Sequence, residues 1–427
     1  MDAMPPRPLV RILVVLPMYG GSLPVGRYCA KALAELGHLV DVFEAPDFYG
    51  AFSALKKLRV TADRLDYLEH AFLQTVSQAI LAKVETFEPD LVLAMAQAPL
   101  SRQALKRLRR DGVATAMWFV EDHQIFTYWQ AFAPHYDFFA VIQKEPFLSR
   151  LAAAGVENAV YLPMAADPDI HRPLDLSLAQ RRLYGSDLSF VGAGYPNRRL
   201  AFRELADFDL KIWGGDWDGE VALAPRLQLG GRRVDTEESV RVFNAAKINL
   251  NLHSGLDPAR LVPQGDFVNP RTFELAMCGA FQLVSDRTLL PEVFTTDEVA
   301  VFEDMEGLKQ AVRHYLAHPG ERAAMAGRAR ERAMREHTYA ARMRTLLAFI
   351  SSRRADFGSG ARREAGLADL PPEVRAELGG LLAELGLPGD AAFADVVTAV
   401  RARQGRLSDM ETTVLFLDEW RKQYGGR

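Results

Sequence analysis

Two successive rounds of strand, loop and helix constrain this chain more than any other feature of it. Residues 10–16 form an apolar run of the length of a buried strand. A glycine-bearing turn follows at 17–22, then helical periodicity over 23–36 that stops at Gly37, then a second strand at 38–43. Short apolar strands that feed helices and return imply a parallel sheet. Strands at 89–94, 114–120, 137–142 and 159–162 extend this half. The alternation restarts at 188–191 and runs through strands at 209–213, 247–253, 280–284 and 299–302. The chain therefore reads as α/β, with two successive halves each built around a parallel sheet. Residues 63–87 read as a long amphipathic helix, 99–110 as a helix with a basic end, and 45–62 as an irregular loop.

Ligands of open α/β sheets bind beyond the carboxyl ends of the strands, so the residues just after each strand are the functional candidates. Gly20 and Gly21 follow the first strand and let a ligand approach the backbone, or simply permit the turn. The Gly-x-Gly-x-x-Gly fingerprint is absent there, which argues against a nicotinamide site. Glu121, Asp122 and His123 follow the strand at 114–120. They are candidate acid–base groups or sugar-hydroxyl ligands, against the plainer reading of a polar turn capping the next helix. Gly192, Gly194, Arg198 and Arg199 follow the strand at 188–191. Glycines leading into paired arginines suit phosphate binding, and a turn with a solvated basic helix start is the alternative. Asn251 and His253 lie at the end of the strand at 247–253, where a lone histidine is more often a structural donor than a catalyst.

Residues 266–286 concentrate these signals. Asn269 is a good N-cap, Pro270 suits the first helical position, and Gly279 sits where a helix terminates. Asp266, Asn269, Arg271, Thr272 and Glu274 gather at the front of the helix. Its free N–H groups and positive dipole end favour a phosphate, and Arg271 adds a planar cation. An ordinary capped helix, with Glu274 complementing the dipole, explains the same pattern without a ligand.

The length of 427 residues allows two or three domains. A net charge of −4 gives no global electrostatic case for nucleic acid or an anionic membrane. Cys29 and Cys278 lie in apolar helical patterns and are expected as buried free thiols. The first residues lack signal-peptide character, and no run approaches the ~18 apolar residues of a spanning helix. A cytoplasmic protein without an integral membrane span is expected. Asp216-Trp-Asp218 and Asp167-Pro-Asp169 have a spacing that can chelate a divalent cation, but both fall in turns that favour Asp anyway. No metal site is expected. The Pro- and Asp-rich stretch at 162–175 is the best interdomain linker. Residues 371–424 read as three or four short helices, an accessory bundle or homo-oligomer contact.

The two halves, the Gly-Gly loop and the box Glu274-Leu-Ala-Met-Cys-Gly-Ala280 resemble a GT-B glycosyltransferase. More narrowly, the chain resembles the CgeB-like (spore-maturation protein) group, related to the group-one glycosyltransferases. The matching pieces are Leu162-Pro-Met-Ala-Ala-Asp-Pro168, Phe190-Val-Gly-Ala-Gly-Tyr-Pro196 with Arg198-Arg199, Ile212-Trp-Gly214, Ile248-Asn-Leu-Asn-Leu-His253, Asn269-Pro-Arg-Thr-Phe-Glu274 and Glu336-His-Thr-Tyr339, within about residues 8–350.

This resemblance implies two Rossmann-like domains facing across a cleft. Residues 1–170 would be the acceptor side, 171–350 the nucleotide-sugar side, and 351–427 a helical extension outside the resemblance. It implies a hexosyl- or N-acetylhexosaminyl-transferase that takes a nucleotide-sugar donor, UDP-sugar preferred, and a glycan, surface polymer or protein acceptor. No cofactor and no metal are expected. In the wider group two acidic residues separated by seven positions contact the donor. Glu274 matches the second as a ribose ligand, and Asp266 stands at the first where Glu is commoner. Arg271, Asn269, Gly192, Gly194, Arg198 and Arg199 would take the diphosphate charge, and His253, Gly20 and Gly21 are further donor-binding candidates. Asp122 is the preferred general base of an inverting reaction, with Glu121 and His123 beside it, whereas a retaining reaction needs none. A non-catalytic sugar-nucleotide or glycan-binding protein of the same fold is the alternative.

Overall fold

The computed structural model describes residues 9–262, 265–355, 357–358, 371–389 and 391–424. Its packing forms two compact units. One comprises Met1–Trp118, Ala131–Phe139 and Leu347–Arg427, the other Phe119–Gln130 and Ala140–Leu346. The division at 1–170, 171–350 and 351–427 concerns chain segments, and the packing units cut across it.

Six strands form the first sheet: β1 (Arg11–Val15), β2 (Leu39–Phe43), β3 (Leu91–Met95), β4 (Ala114–Phe119), β5 (Phe138–Val141) and β6 (Ala159–Tyr161). Their order is β2-β1-β3-β4-β5-β6. Strand β1 pairs in parallel with β2 and β3, and β3 with β4. Strands β1, β3 and β4 are buried throughout, as expected for parallel strands covered on both faces. The second sheet contains β7 (Leu188–Val191), β8 (Leu210–Trp213), β9 (Ile248–Asn251), β10 (Gln282–Ser285) and β11 (Ala300–Phe302). It is parallel, in the order β11-β10-β9-β7-β8.

The second sheet carries polar residues inside its core. Ser189 donates to Asn249 Oδ1 at 2.8 Å, and Asn249 Nδ2 donates to the carbonyls of Phe243 and Phe281, each at 3.2 Å. A buried amide so satisfied ties neighbouring elements together without a desolvation deficit. Phe190, Phe202, Ile212, Trp217 and Leu283 form the apolar core around it.

Three expectations change or sharpen. Residues 45–62 are largely helical, with a 3-10 turn at Ala45–Phe48 and helices at Tyr49–Leu55 and Ala62–Phe87. The stretch at 162–175 is no exposed linker at its start: Leu162, Met164, Ala165, Ala166 and Asp167 are buried. Ala166 bridges to Thr338, and its N–H donates to the His337 carbonyl at 3.0 Å. Only Asp167 of its aspartates is buried, and Asp169, Pro173 and Asp175 are exposed. Residues 371–424 form three helices, Pro372–Glu384, Phe393–Ala402 and Asp409–Tyr424, around Leu382, Val396, Val400 and Val414. Asp395 of this bundle reaches Arg11 of β1 at 3.3 Å. Cys29 and Cys278 are buried free thiols, as expected. Among the described residues no helix is long and apolar enough to cross a membrane.

Candidate functional site

The start of the helix Pro270–Met277 is held by the ends of β9 and β10. Asn269 caps it, accepting from the Thr272 N–H at 3.1 Å, and its own amide donates to Asn251 Oδ1 at 2.8 Å. Asn251 in turn donates to Thr272 Oγ1 at 2.8 Å and to Gln282 Oε1 at 3.0 Å. His253 completes the frame. Its Nε2 accepts the Asn269 N–H at 3.1 Å, so Nδ1 carries the proton and donates to Ser285 Oγ at 2.9 Å. Burial, reinforced by nearby Arg287 and Arg198, pushes the His253 pKa well below its ordinary value. Both ring nitrogens of His253 are thus used in positioning the helix. Gly279 ends that helix with a left-handed φ of +64°.

Three arginines converge on this frame. Arg271 pairs with Glu274 at 2.6 Å and lies over the Phe243 ring at 4.5 Å. The second carboxylate oxygen of Glu274 faces His171 Nε2 at 3.9 Å. Arg198 donates to the carbonyls of Leu252 at 2.9 Å and Ala193 at 3.0 Å, between the rings of Phe190 and Tyr195. Burial lowers its pKa to about 9, and Arg271 and Arg287 push it the same way against the opposing influence of Tyr195. No carboxylate pairs with Arg198 among the described residues. Arg287 is buried over Phe267, its pKa lowered to about 10 by burial while Asp122, Asp266 and Asp286 oppose that shift. A side chain at Gly265 would come within 2.5 Å of its Nη1.

Arg199 turns elsewhere. Its guanidinium donates to the carbonyls of Gly194 at 2.7 Å, Asp218 at 2.8 Å and Asp216. Gly194 packs so tightly on this loop that a Cβ would sit 2.2 Å from the Asp216 carbonyl, and Gly192 would clash with the Phe190 ring. These glycines let two loops lock together, with Trp217 Nε1 donating to the Gly192 carbonyl at 3.1 Å. Asp216 and Asp218 use their carbonyls on Arg199, and Asp167 accepts from the Asp169 N–H at 2.9 Å. Among the described residues, the one triplet of His, Cys, Asp or Glu donor atoms close enough to share an ion is exposed His314, His318 and Glu321, near the junction of the helices Met305–Ala317 and Pro319–Glu336.

The residues after β4 lie in the same packing unit. Glu121 accepts from Tyr128 Oη at 2.7 Å, and Asp122 accepts from the Gln124 N–H at 2.8 Å. His123 is buried and stacked on Phe147, ring centroids 4.4 Å apart. Asp266 accepts from Gln143 Nε2 at 3.0 Å and from the Lys144 N–H at 2.7 Å. Gly20 and Gly21 belong to the other unit. Gly20 needs its freedom, with φ of +104°, whereas Gly21 has an ordinary φ and open space beside it.

Sequence reasoning passed over Gln143, Arg287 and His171. The first two stand just beyond the carboxyl ends of β5 and β10, so the rule that selected Glu121–His123 would have found them. His171 lay hidden in the stretch read as a linker.

Residues 182–348 match the family described as glycosyl transferase-like. Spore protein CgeB of Bacillus subtilis (strain 168) is 26% identical over 252 residues, 57% of this chain and 77% of that protein. The sucrose-phosphate synthase of Thermosynechococcus elongatus superposes with a TM-score of 0.56 at 15% identity, over 81% of this chain and 99% of that one. Anabaena HepE in complex with UDP-glucose superposes with a TM-score of 0.55 at 13% identity, over 80% of this chain and 100% of that one. The resemblance to CgeB-like glycosyltransferases is borne out, and the two parallel sheets have the GT-B fold.

Proposed function

We propose that the chain is a glycosyltransferase that moves a sugar from a nucleoside-diphosphate donor, UDP-sugar in the first instance, to a hydroxyl of a glycan, surface polymer or protein acceptor. The observation that carries this reading is Arg198. It is a partly buried guanidinium that no described carboxylate neutralises, and Arg271 and Arg287 add positive charge beside it. Holding three cations together around a helix start raises their free energy, and a diphosphate relieves that cost. Arg271 has a carboxylate partner in Glu274, whereas no described carboxylate pairs with Arg198.

The chemistry follows from that placement. The leaving group is a nucleoside diphosphate whose negative charge grows as the sugar departs. Arg198, Arg271 and the N–H groups at the start of the helix Pro270–Met277 supply fixed positive charge for it, with no metal required. Glu274 remains able to accept ribose hydroxyls, since only one of its oxygens holds Arg271. The reading carries with it a cytoplasmic setting and transfer of a hexosyl or N-acetylhexosaminyl group.

Calorimetry with UDP and with UDP-sugars, in EDTA and then with added Mg²⁺, tests the donor site. Product detection with those donors and a panel of hydroxyl acceptors tests the transfer. Saturable UDP binding that Arg198→Met abolishes is expected. A folded protein that binds no nucleotide diphosphate would overturn the reading, and binding without transfer or hydrolysis on any donor would reassign it to a sugar-nucleotide-binding protein.

A further inference from the structure

The geometry points to Gln143 as the residue that sets the working tautomer of His123. Gln143 follows β5 and bonds in two directions. Its Oε1 accepts the His123 backbone N–H at 2.9 Å, and its Nε2 donates to Asp266 Oδ1 at 3.0 Å. A backbone N–H can only donate and a carboxylate can only accept, so these partners fix which end of the amide is oxygen. The same Oε1 faces His123 Nδ1 at 3.0 Å. An oxygen there obliges Nδ1 to carry the proton and leaves Nε2 as a bare acceptor.

The rest of the surroundings hold that arrangement. Asp266 is anchored by the Lys144 N–H at 2.7 Å. The His123 ring lies flat on Phe147, with 10° between the planes, and its carbonyl accepts from Trp129 Nε1 at 3.1 Å. His123 Nε2 is buried and makes no hydrogen bond among the described residues. Buried ring nitrogens are normally satisfied, and a rigidly held exception calls for a donor. Asp122 next to it, and Asp266 through Gln143, share a neighbourhood with Arg287. A hydroxyl entering this polar site would supply that donor. Resting on the sugar-transfer reading, it is a sugar hydroxyl of the donor or of the acceptor. Asp266 then serves the site by orienting Gln143, at one remove from substrate.

Nitrogen-15 NMR of the full chain labelled at histidine tests the tautomer directly, with the His123 signals assigned by their loss in His123→Gln. Nδ1–H is expected in the wild type, and conversion toward Nε2–H in Gln143→Met. Nε2–H in the wild type, or an unchanged tautomer in Gln143→Met, overturns the proposal. Binding and turnover then place the hydroxyl. If it belongs to the donor, Gln143→Met weakens UDP-sugar about tenfold, the scale of one hydrogen bond, and leaves UDP unchanged. If it belongs to the acceptor, donor binding is kept and transfer falls by a similar factor with its pH profile displaced. Equal effects on UDP and UDP-sugar with an undisplaced profile would reduce Gln143 to a structural residue. Failure of any nucleotide to bind counts against the transfer reading alone, since the tautomer is measured without ligand.

Discussion

His253 Nε2 accepts the backbone N–H of Asn269 at 3.1 Å, so a neutral imidazole is built into the start of the helix that faces the proposed diphosphate. Protonation at Nε2 would set one N–H against another. The folded protein holds this histidine well below its ordinary value of 6.5. The unfolded chain therefore binds more protons than the folded one as pH falls below about 6.5, and stability declines with it. The expected outcome is a lower urea midpoint at pH 5.5 than at pH 7.5, while UDP binding to the folded protein owes no change to His253 over that range. In His253→Gln the decline of the urea midpoint with acid should shrink. Identical pH dependence of the midpoint in variant and wild type would assign it to other groups.

Arg198 and Arg199 are neighbours in sequence with opposite expected phenotypes. Arg198→Met removes a partly buried cation that two arginines crowd, and that relief opposes the loss of its bonds to the Leu252 and Ala193 carbonyls, so the melting temperature should change little while UDP affinity drops tenfold or more, the scale of ~1.5–3 kcal/mol for a charged hydrogen bond. Arg199→Met strips donors from the carbonyls of Gly194, Asp216 and Asp218. It should cost roughly 1–3 kcal/mol of stability and change UDP affinity less. Thermal melts and calorimetry on both variants separate the two roles, and a reversal of the pattern would exchange them.

The contrast shows what the sequence could reveal. Paired arginines after a strand announced an anion site, but which guanidinium would be consumed by the 214–218 loop depended on contacts 17 to 19 residues away. The parallel alternation and the Asn269 cap were legible because they rest on local periodicity and capping chemistry. Asn249 and Asn251 looked like the polar half of an alternating strand, yet both are buried and bonded across neighbouring elements. Asp266 and Glu274 looked equivalent by spacing. Only the fold brings Gln143 and Lys144, over 120 residues away, onto Asp266. Pairings of that range leave no periodic trace in the chain.

The C-terminal bundle is expected to be part of the first unit's stability. Arg11 meets Asp395 at 3.3 Å with both side chains largely buried, and Arg11 also donates to the Phe87 carbonyl. Asp395→Ala removes this largely buried carboxylate from Arg11 and should cost roughly 3–5 kcal/mol, lowering the midpoint of a urea melt. Arg11→Met with Asp395→Leu should recover much of the loss. A fully stable Asp395→Ala protein would show that the bundle contributes little to this unit.

His337 gives the sharpest pH prediction because its environment fixes both nitrogens. Nδ1 faces Arg342 Nη2 at 2.8 Å, and Arg342 can only donate, so Nδ1 must accept. Nε2 therefore carries the proton and donates to the Val293 carbonyl at 2.8 Å. Burial first, and the Arg342 cation next, lower its pKa from 6.5 to about 4. The unfolded chain takes up the proton first, so the contribution is intact above about 6.5 and is lost progressively as pH falls towards 4. A shift of that size corresponds to ~3 kcal/mol over the window. Arg342 also holds the carbonyls of Pro163, Met164 and Glu336, so the cost falls on the buried segment at 162–167. In His337→Gln the amide can accept from Arg342 and donate to Val293 without titrating. That variant should lose about 1 kcal/mol at pH 7.5 and show a shallower decline in urea midpoint between pH 6.5 and 4.5. A slope equal to that of the wild type would assign the acid sensitivity to other groups.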